Sequence, residues 1–133
     1  MKQINAKQCN QNQTIMENRR IILSDNGIIT VPGETKMNIA EIADLFGIYY
    51  QTAKKLIRDI EKSGVVGGDY SGSCTYEGSK IYPDYYGLEM VTAVAFRVQS
   101  GEADVFRKWL LRKIAKAGIT EILILPIQNS ILN

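Results

Sequence analysis

The chain has 133 residues, 45% hydrophobic and 23% charged, the balance of one globular domain able to bury a core without disulfides or metal. A net charge of only +2 excludes a global basic field of the histone kind, so any nucleic-acid contact must rest on local cations. The absence of histidine removes His-based general-base catalysis, Ser-His triads and the commonest metal ligand.

Cys9 and Cys74 lie far apart and form neither a CxxC pair nor a zinc-ligand set, so no metal and no cofactor is expected. Cys74 is expected to pack as a half-buried strand residue. Two separated thiols without a leader pattern fit a reducing cytoplasm. The longest apolar run, Ile122 to Leu125, is strand-sized and far short of the ~20 residues of a membrane span.

In chain order, residues 1–18 are rich in Asn and Gln, lack periodicity, and are expected to be a mobile polar tail. Arg20 to Ser24 and Ile28 to Val31 flank Asp25-Asn26-Gly27. Asn-Gly between β-rich runs predicts a hairpin with a type I′ turn. Ile39, Ile42, Ala43 and Phe46 then recur at helical spacing. Asn38 is the expected N-cap, Glu41 stands at the third helical position, and Gly47 is the breaker. A second helix is predicted over about Tyr50 to Lys62, with Ala53, Leu56, Ile57 and Ile60 on its core face and Gly64 as its stop.

Gly67 to Gly72 matches no phosphate-binding fingerprint and is expected to be a connector. Ser73 to Tyr76 and Ser79 to Tyr82, around Glu77-Gly78, predict a second hairpin. Leu88 to Val98 is a nearly uninterrupted apolar helix. Glu102 to Ala117 is an amphipathic one, with Phe106, Trp109, Leu110 and Ile114 packing, Arg107, Lys108, Arg112, Lys113 and Lys116 outward, and Gly118 as its stop. Glu121 to Ile127 is expected to be a strand.

The stretch Ile39 to Arg58 carries the functional argument. A helix-turn-helix needs a small residue where its helices cross, a turn residue tolerant of positive φ, and apolar residues at fixed offsets. Ala43, Gly47, and the set Ile42, Phe46, Ile48, Ala53 and Leu56 fill those positions. An ordinary αα-hairpin has similar packing needs, and charge distinguishes the two. The first helix carries Glu41 and Asp44, whereas the second carries Lys54, Lys55, Arg58 and Lys62 against Asp59 and Glu61. In the motif the second helix enters the major groove. Its expected DNA-facing residues are Tyr49, Tyr50, Gln51, Thr52, Lys54, Lys55 and Arg58. Gln51 can read adenine, Thr52 and the lysines can contact phosphate, and Arg58 can serve guanine or phosphate. Tyr49 could equally be a core aromatic. The second hairpin stands where a wing would stand, and Lys80, with Tyr76 and Ser79, is its candidate DNA contact.

The segment YGLEMVTAVAFRVQSGEADVFRKWL, Tyr86 to Leu110, resembles the signature of the RhuM-like family of bacterial virulence-associated proteins. Tyr86, Leu88, Glu89, Met90, Phe96, Arg97, Val98, Ser100, Phe106, Arg107 and Trp109 carry it. MNIAEIADLF, from Met37, resembles the start of that family's helix-turn-helix, and the resemblance covers roughly 37–113. It implies a DNA-binding, transcription-regulatory protein without catalytic residues. A structural role is expected for the motif: Trp109 filling the space between the last two helices, and Arg97 pairing with Glu89 or capping a carbonyl.

The reading is an α+β winged helix-turn-helix over 19–117, with an N-terminal hairpin, a wing hairpin and two C-terminal helices, followed by a C-terminal strand segment over 118–133. The expected function is sequence-specific binding of double-stranded DNA as a cytoplasmic transcription regulator, not an enzyme, and with no membrane partner. The apolar segment Glu121 to Ile127 is expected to pair with something, either in a homodimer or against a sheet edge of the same chain. The alternative is a winged-helix module that binds a protein partner and not DNA. A DNA reader should show Lys54, Lys55 and Arg58 accessible and free of internal salt bridges. If Lys54 and Arg58 are instead tied to Asp59, Glu61 or Asp84, or if that helix face is buried against the N-terminal hairpin, the DNA reading loses its physical basis and the interaction module is the better reading. A tyrosine-nucleophile DNA enzyme using Tyr49, Tyr50, Tyr85 or Tyr86 lacks the cationic surroundings such chemistry needs.

Overall fold

The computed structural model describes residues 19–122, with side chains through residue 116, so the polar tail over 1–18 and residues 123–133 lie outside the described residues. The architecture is α+β: four helices around one core, with two small antiparallel hairpins at its edges.

The first hairpin pairs β1 (Ile22–Leu23) with β2 (Ile29–Thr30). Its turn is not the expected type I′. Gly27 alone adopts positive φ (+82°), and the Ser24 carbonyl accepts from the Gly27 N–H at 2.9 Å. Asn26 stays right-handed because its side-chain oxygen is used inside the loop, accepting from the Ser24 hydroxyl and the Ile28 N–H. The result is a longer loop with one left-handed glycine, and strands of only two residues each.

Helix α1 (Ile39–Phe46) starts in a complete capping box: the Asn38 side chain accepts from the Glu41 N–H at 2.8 Å, and the Glu41 carboxylate from the Asn38 N–H at 2.9 Å. It ends at Gly47, whose φ of +63° lets the Ile48 and Gly47 N–H groups satisfy the Ala43 and Asp44 carbonyls. Three residues, Gly47 to Tyr49, then lead into α2 (Tyr50–Ser63). Ile42, Ala43 and Phe46 of α1 are buried together with Ala53, Ile57 and Ile60 of α2, the faces predicted from their spacing.

The second hairpin pairs β3 (Cys74–Glu77) with β4 (Lys80–Pro83), Glu77 opposite Lys80. Cys74 is half-buried, as its strand position predicts. A two-residue bridge between Met37 and Tyr86, with N–H to O distances of 2.9 and 2.8 Å, fastens the exit of this hairpin to the start of α1.

Helix α3 (Leu88–Ala95) buries Met90, Val91, Val94 and Ala95. It stops three residues before the expected Val98, and Arg107 satisfies carbonyls left open there, one at its last residue and one in the connection to the next helix. The guanidinium donates to the Ala95 oxygen at 2.6 Å and the Val98 oxygen at 2.7 Å. Arg107 is therefore not an outward cation. It performs the capping expected of Arg97, which is itself exposed. Helix α4 (Gly101–Ile122) begins where the Ser100 hydroxyl accepts from the Ala103 N–H at 3.1 Å. Phe106 is buried edge-on against Phe46, with centroids 5.6 Å apart, and half-buried Trp109 packs on Phe106.

Three expectations for the C-terminal region are corrected. Gly118 does not end α4, because one glycine costs a helix only ~1 kcal/mol when its neighbours are good helix formers. Glu121 and Ile122 are helical, and the rest of the expected strand lies outside the described residues. Ile114 is 53% exposed and unpacked, because the helix has by then run past the core. Among the described residues no helix is long and apolar enough to cross a membrane.

Candidate nucleic-acid interface

Helix α2 buries one face through Ala53, Ile57 and Ile60 and leaves the rest for other uses. Tyr49, Gln51, Thr52 and Lys55 are exposed at its N-terminal half, Tyr49 to 86%, and Tyr50 is the less exposed of the two tyrosines. Tyr49 is thus not a core aromatic. Tyr49 also occupies the N-cap position without a side-chain cap bond, and no acidic residue lies in the first turn. The first N–H groups of α2 therefore stand open at the positive end of the helix dipole. Lys80 and Tyr76 are exposed on the second hairpin. No ion pair joins Lys55 or Lys80 to another described residue.

Lys54 and Arg58 behave otherwise, and the expectation that both are free is overturned. Lys54 Nζ lies 2.9 Å from Glu77 Oε2, and Arg58 Nη2 lies 3.5 Å from the same oxygen. Arg58 Nη1 is 3.6 Å from Glu61 Oε1 and donates to the Tyr86 hydroxyl at 3.0 Å. The guanidinium stacks on Tyr82, 3.6 Å from its centroid. Only 19% of the Arg58 side chain is exposed. The physical reason is position: Lys54 and Arg58 are one turn apart on the flank of α2 that faces the second hairpin, so they clamp it. Lys55, one residue round the helix, escapes.

Charge in this cluster is set by its contacts. The hydrogen bond from Lys54, with the charges of Lys54 and Arg58, holds the Glu77 carboxyl below its ordinary 4.5. Burial, then the Glu61 carboxylate, pushes the Tyr86 phenol well above its ordinary 10.0. That is the reverse of what a tyrosyl nucleophile at Tyr86 needs. At the hairpin's base, Asp84 accepts from the Ser73 and Thr75 hydroxyls, which hold its carboxyl below the usual range. Among the described residues no three His, Cys, Asp or Glu side chains gather as a metal site.

Sequence reasoning named Glu61 as a possible partner of Arg58 but missed Glu77, Tyr82 and Tyr86. The Arg58–Glu61 pair was available from its i,i+3 spacing. The others depend on how the hairpin docks, which no local pattern encodes. Between the start of α1, Tyr50, Arg58 and the hairpin lies a cleft of about 380 Å³. No family model, curated protein or solved structure matches the chain.

Proposed function

We propose that the chain is a winged helix-turn-helix domain that binds duplex DNA, with α2 in the major groove and β3–β4 as the wing. The observation that carries this reading is the exposed N-terminal half of α2. It offers Gln51, Thr52 and Lys55 beside uncapped N–H groups, on a helix whose opposite face is fully buried. Such a surface has an amide for base edges and a cation, hydroxyl and N–H groups for phosphate. The three-residue turn at Gly47 and the crossing at Ala43 meet the needs of the motif. The RhuM-like resemblance across Tyr86 to Trp109 adds transcription regulation to the proposal. Within it Lys54 and Arg58 become wing anchors first, and Lys55 and Lys80 the free cations.

The test separates base reading from phosphate contact. With a duplex selected from a random pool, Gln51→Ala should bind the selected and unselected sequences more nearly alike. Lys55→Ala should weaken both by a similar factor. Unchanged discrimination in Gln51→Ala together with unchanged affinity in Lys55→Ala would take α2 out of the groove.

A second reading keeps support from two observations. Lys54 and Arg58 are neutralised by carboxylates, Arg58 by Glu61 in particular, while Tyr49 and Tyr76 stand exposed as apolar anchors of the kind protein interfaces use. A protein-binding winged helix would lose its partner on Tyr49→Ala and ignore Lys55→Ala. The DNA reading is kept on Gln51, Thr52 and Lys55, which are exposed and take no part in these ion pairs, while the Arg58–Glu61 tie counts for the protein-binding module.

The proposal includes a homodimer. The segment expected to carry it, Glu121 to Ile127, lies largely outside the described residues, and the proposal here uses Leu111 and Ile114, each 53% exposed earlier on α4. A twofold pair of such domains would present two α2 helices about 34 Å apart to a palindromic site.

A further inference from the structure

Two cations of α2 converge on one oxygen atom. Lys54 Nζ and Arg58 Nη2 both approach Glu77 Oε2, at 2.9 and 3.5 Å. A single anionic oxygen between a lysine and an arginine on a groove-facing helix is the arrangement a DNA phosphate oxygen would take up. Here the oxygen belongs to the hairpin. Its owner is exposed, as 42% of the Glu77 side chain meets solvent, and it lies beside the turn, opposite Lys80.

The two cations are held unequally. Arg58 is fixed without Glu77, by the Tyr82 ring beneath it, the Tyr86 hydroxyl and Glu61. Its Nε is buried with no hydrogen-bond partner among the described residues, so without Glu77 the planar group is held by stacking on Tyr82 and by Nη1, which reaches the Tyr86 hydroxyl and Glu61. Lys54 has only Glu77 as an ion-pair partner among the described residues. Removing Glu77 would therefore leave the guanidinium where it is and free the ammonium. Near neutral pH Glu77 stays ionised, because Lys54 and Arg58 favour its charged form.

We propose that Glu77 is an internal stand-in for phosphate, which occupies the Lys54–Arg58 anion site in the free protein and must be displaced when α2 engages DNA. The proposal rests on the DNA-binding reading. It gives the hairpin a second task besides wing contact: setting how weakly the protein holds non-cognate duplex. A sequence that draws α2 deep enough to exchange Glu77 for phosphate gains two cation contacts, and one that does not gains none.

The test is fluorescence anisotropy of the full chain on labelled mixed-sequence duplex at several salt concentrations. Glu77→Gln keeps the side chain's shape and removes its charge. It should bind about three- to tenfold tighter than wild type, the worth of one or two exposed ion pairs. Its salt slope should be steeper by about one. Asp84→Asn makes the same change in net charge on the same hairpin, but Asp84 touches only Ser73 and Thr75. It should gain less than half as much on the logarithmic scale. In a Lys54→Gln background the Glu77→Gln gain should shrink, because the freed ammonium is gone. Should Glu77→Gln disturb the hairpin, Glu77→Thr, which installs a good strand former, carries the same expectation. If wild type binds and Glu77→Gln gains no more than Asp84→Asn, or gains as much without Lys54, the stand-in role is overturned and the DNA reading survives. If neither wild type nor Glu77→Gln binds duplex at low salt, both fall.

Discussion

At the residue scale, two residues decide how neighbouring helices join, one through its backbone and one through its side chain, and each yields a prediction. Gly47 holds φ +63° at the end of α1, and a Cβ there would also collide with the Glu102 carboxylate on α4. Gly47→Ala should lower stability by roughly 1–2 kcal/mol, read as a shifted denaturant midpoint with unchanged slope. Glu102 can swing away, so the backbone cost dominates. Arg107 satisfies the Ala95 and Val98 carbonyls where α3 gives way to α4. Arg107→Leu leaves those acceptors without a donor and should cost ~1–3 kcal/mol, while Arg97→Leu, at an exposed position, should cost little. Equal costs would contradict the capping role. The same pair shows what a sequence motif conceals. Both arginines belong to the RhuM-like pattern, but only the fold tells which one finds carbonyls.

At the scale of elements, the first three-quarters of the chain was the more legible. The capping box at Asn38 and Glu41, the break at Gly47 and the core faces of α1 and α2 follow from short-range rules, because their partners lie within one or two turns. The turn type at Asn26 was not legible, since the Asn side chain spends its oxygen on the Ser24 hydroxyl and so relieves the backbone of positive φ. Exposure at Tyr50, Gln51, Thr52 and Lys55 was legible from helical periodicity, whereas that of Tyr49, which the sequence left equally open to a core position, was not, nor was the pairing of Lys54. The fate of Lys54 and Arg58 was not, because it depends on a hairpin some twenty residues away in the chain docking on their flank. That docking has a pH signature. Glu77 has its pKa lowered by Lys54, so its contribution is present above about 4.5 and is lost as the pH falls through the lower, folded value. Asp84, lowered from 3.8 by Ser73 and Thr75, acts in the same sense at the hairpin's base. Thermal stability should therefore fall on acidification below about 4.5, and less so in Glu77→Gln. A profile identical in the two proteins would mean the clamp adds nothing to hairpin docking.

For the whole molecule, the fold separates a packed half from a projecting one. The core closes around Phe46, Ile57, Tyr86, Val91 and Phe106, and every residue from Leu111 to Lys116 is exposed on the outgoing part of α4. An isolated helical stretch of this length is marginal in water, which is the ground of the proposed dimer. The proposed dimer predicts that Ile114→Glu yields a monomer by light scattering at high micromolar protein, with the core and its melting little changed. A wild-type monomer under the same conditions would reject it. A monomer would leave DNA binding intact but remove the requirement for a palindromic site.

The most direct test of the central claim is the salt dependence of binding to mixed-sequence duplex, measured for wild type and for Lys55→Ala. Lys55 is exposed, lies on the side of α2 proposed to face the groove and has no ion-pair partner among the described residues, so its loss leaves the clamp untouched. The account predicts that the logarithm of affinity falls linearly with the logarithm of salt, and that Lys55→Ala weakens binding on every sequence and lowers the slope by about one. No salt-sensitive binding by wild type, or an unchanged affinity and slope in Lys55→Ala, would contradict it and leave α2 with Tyr49 as a surface for a protein partner.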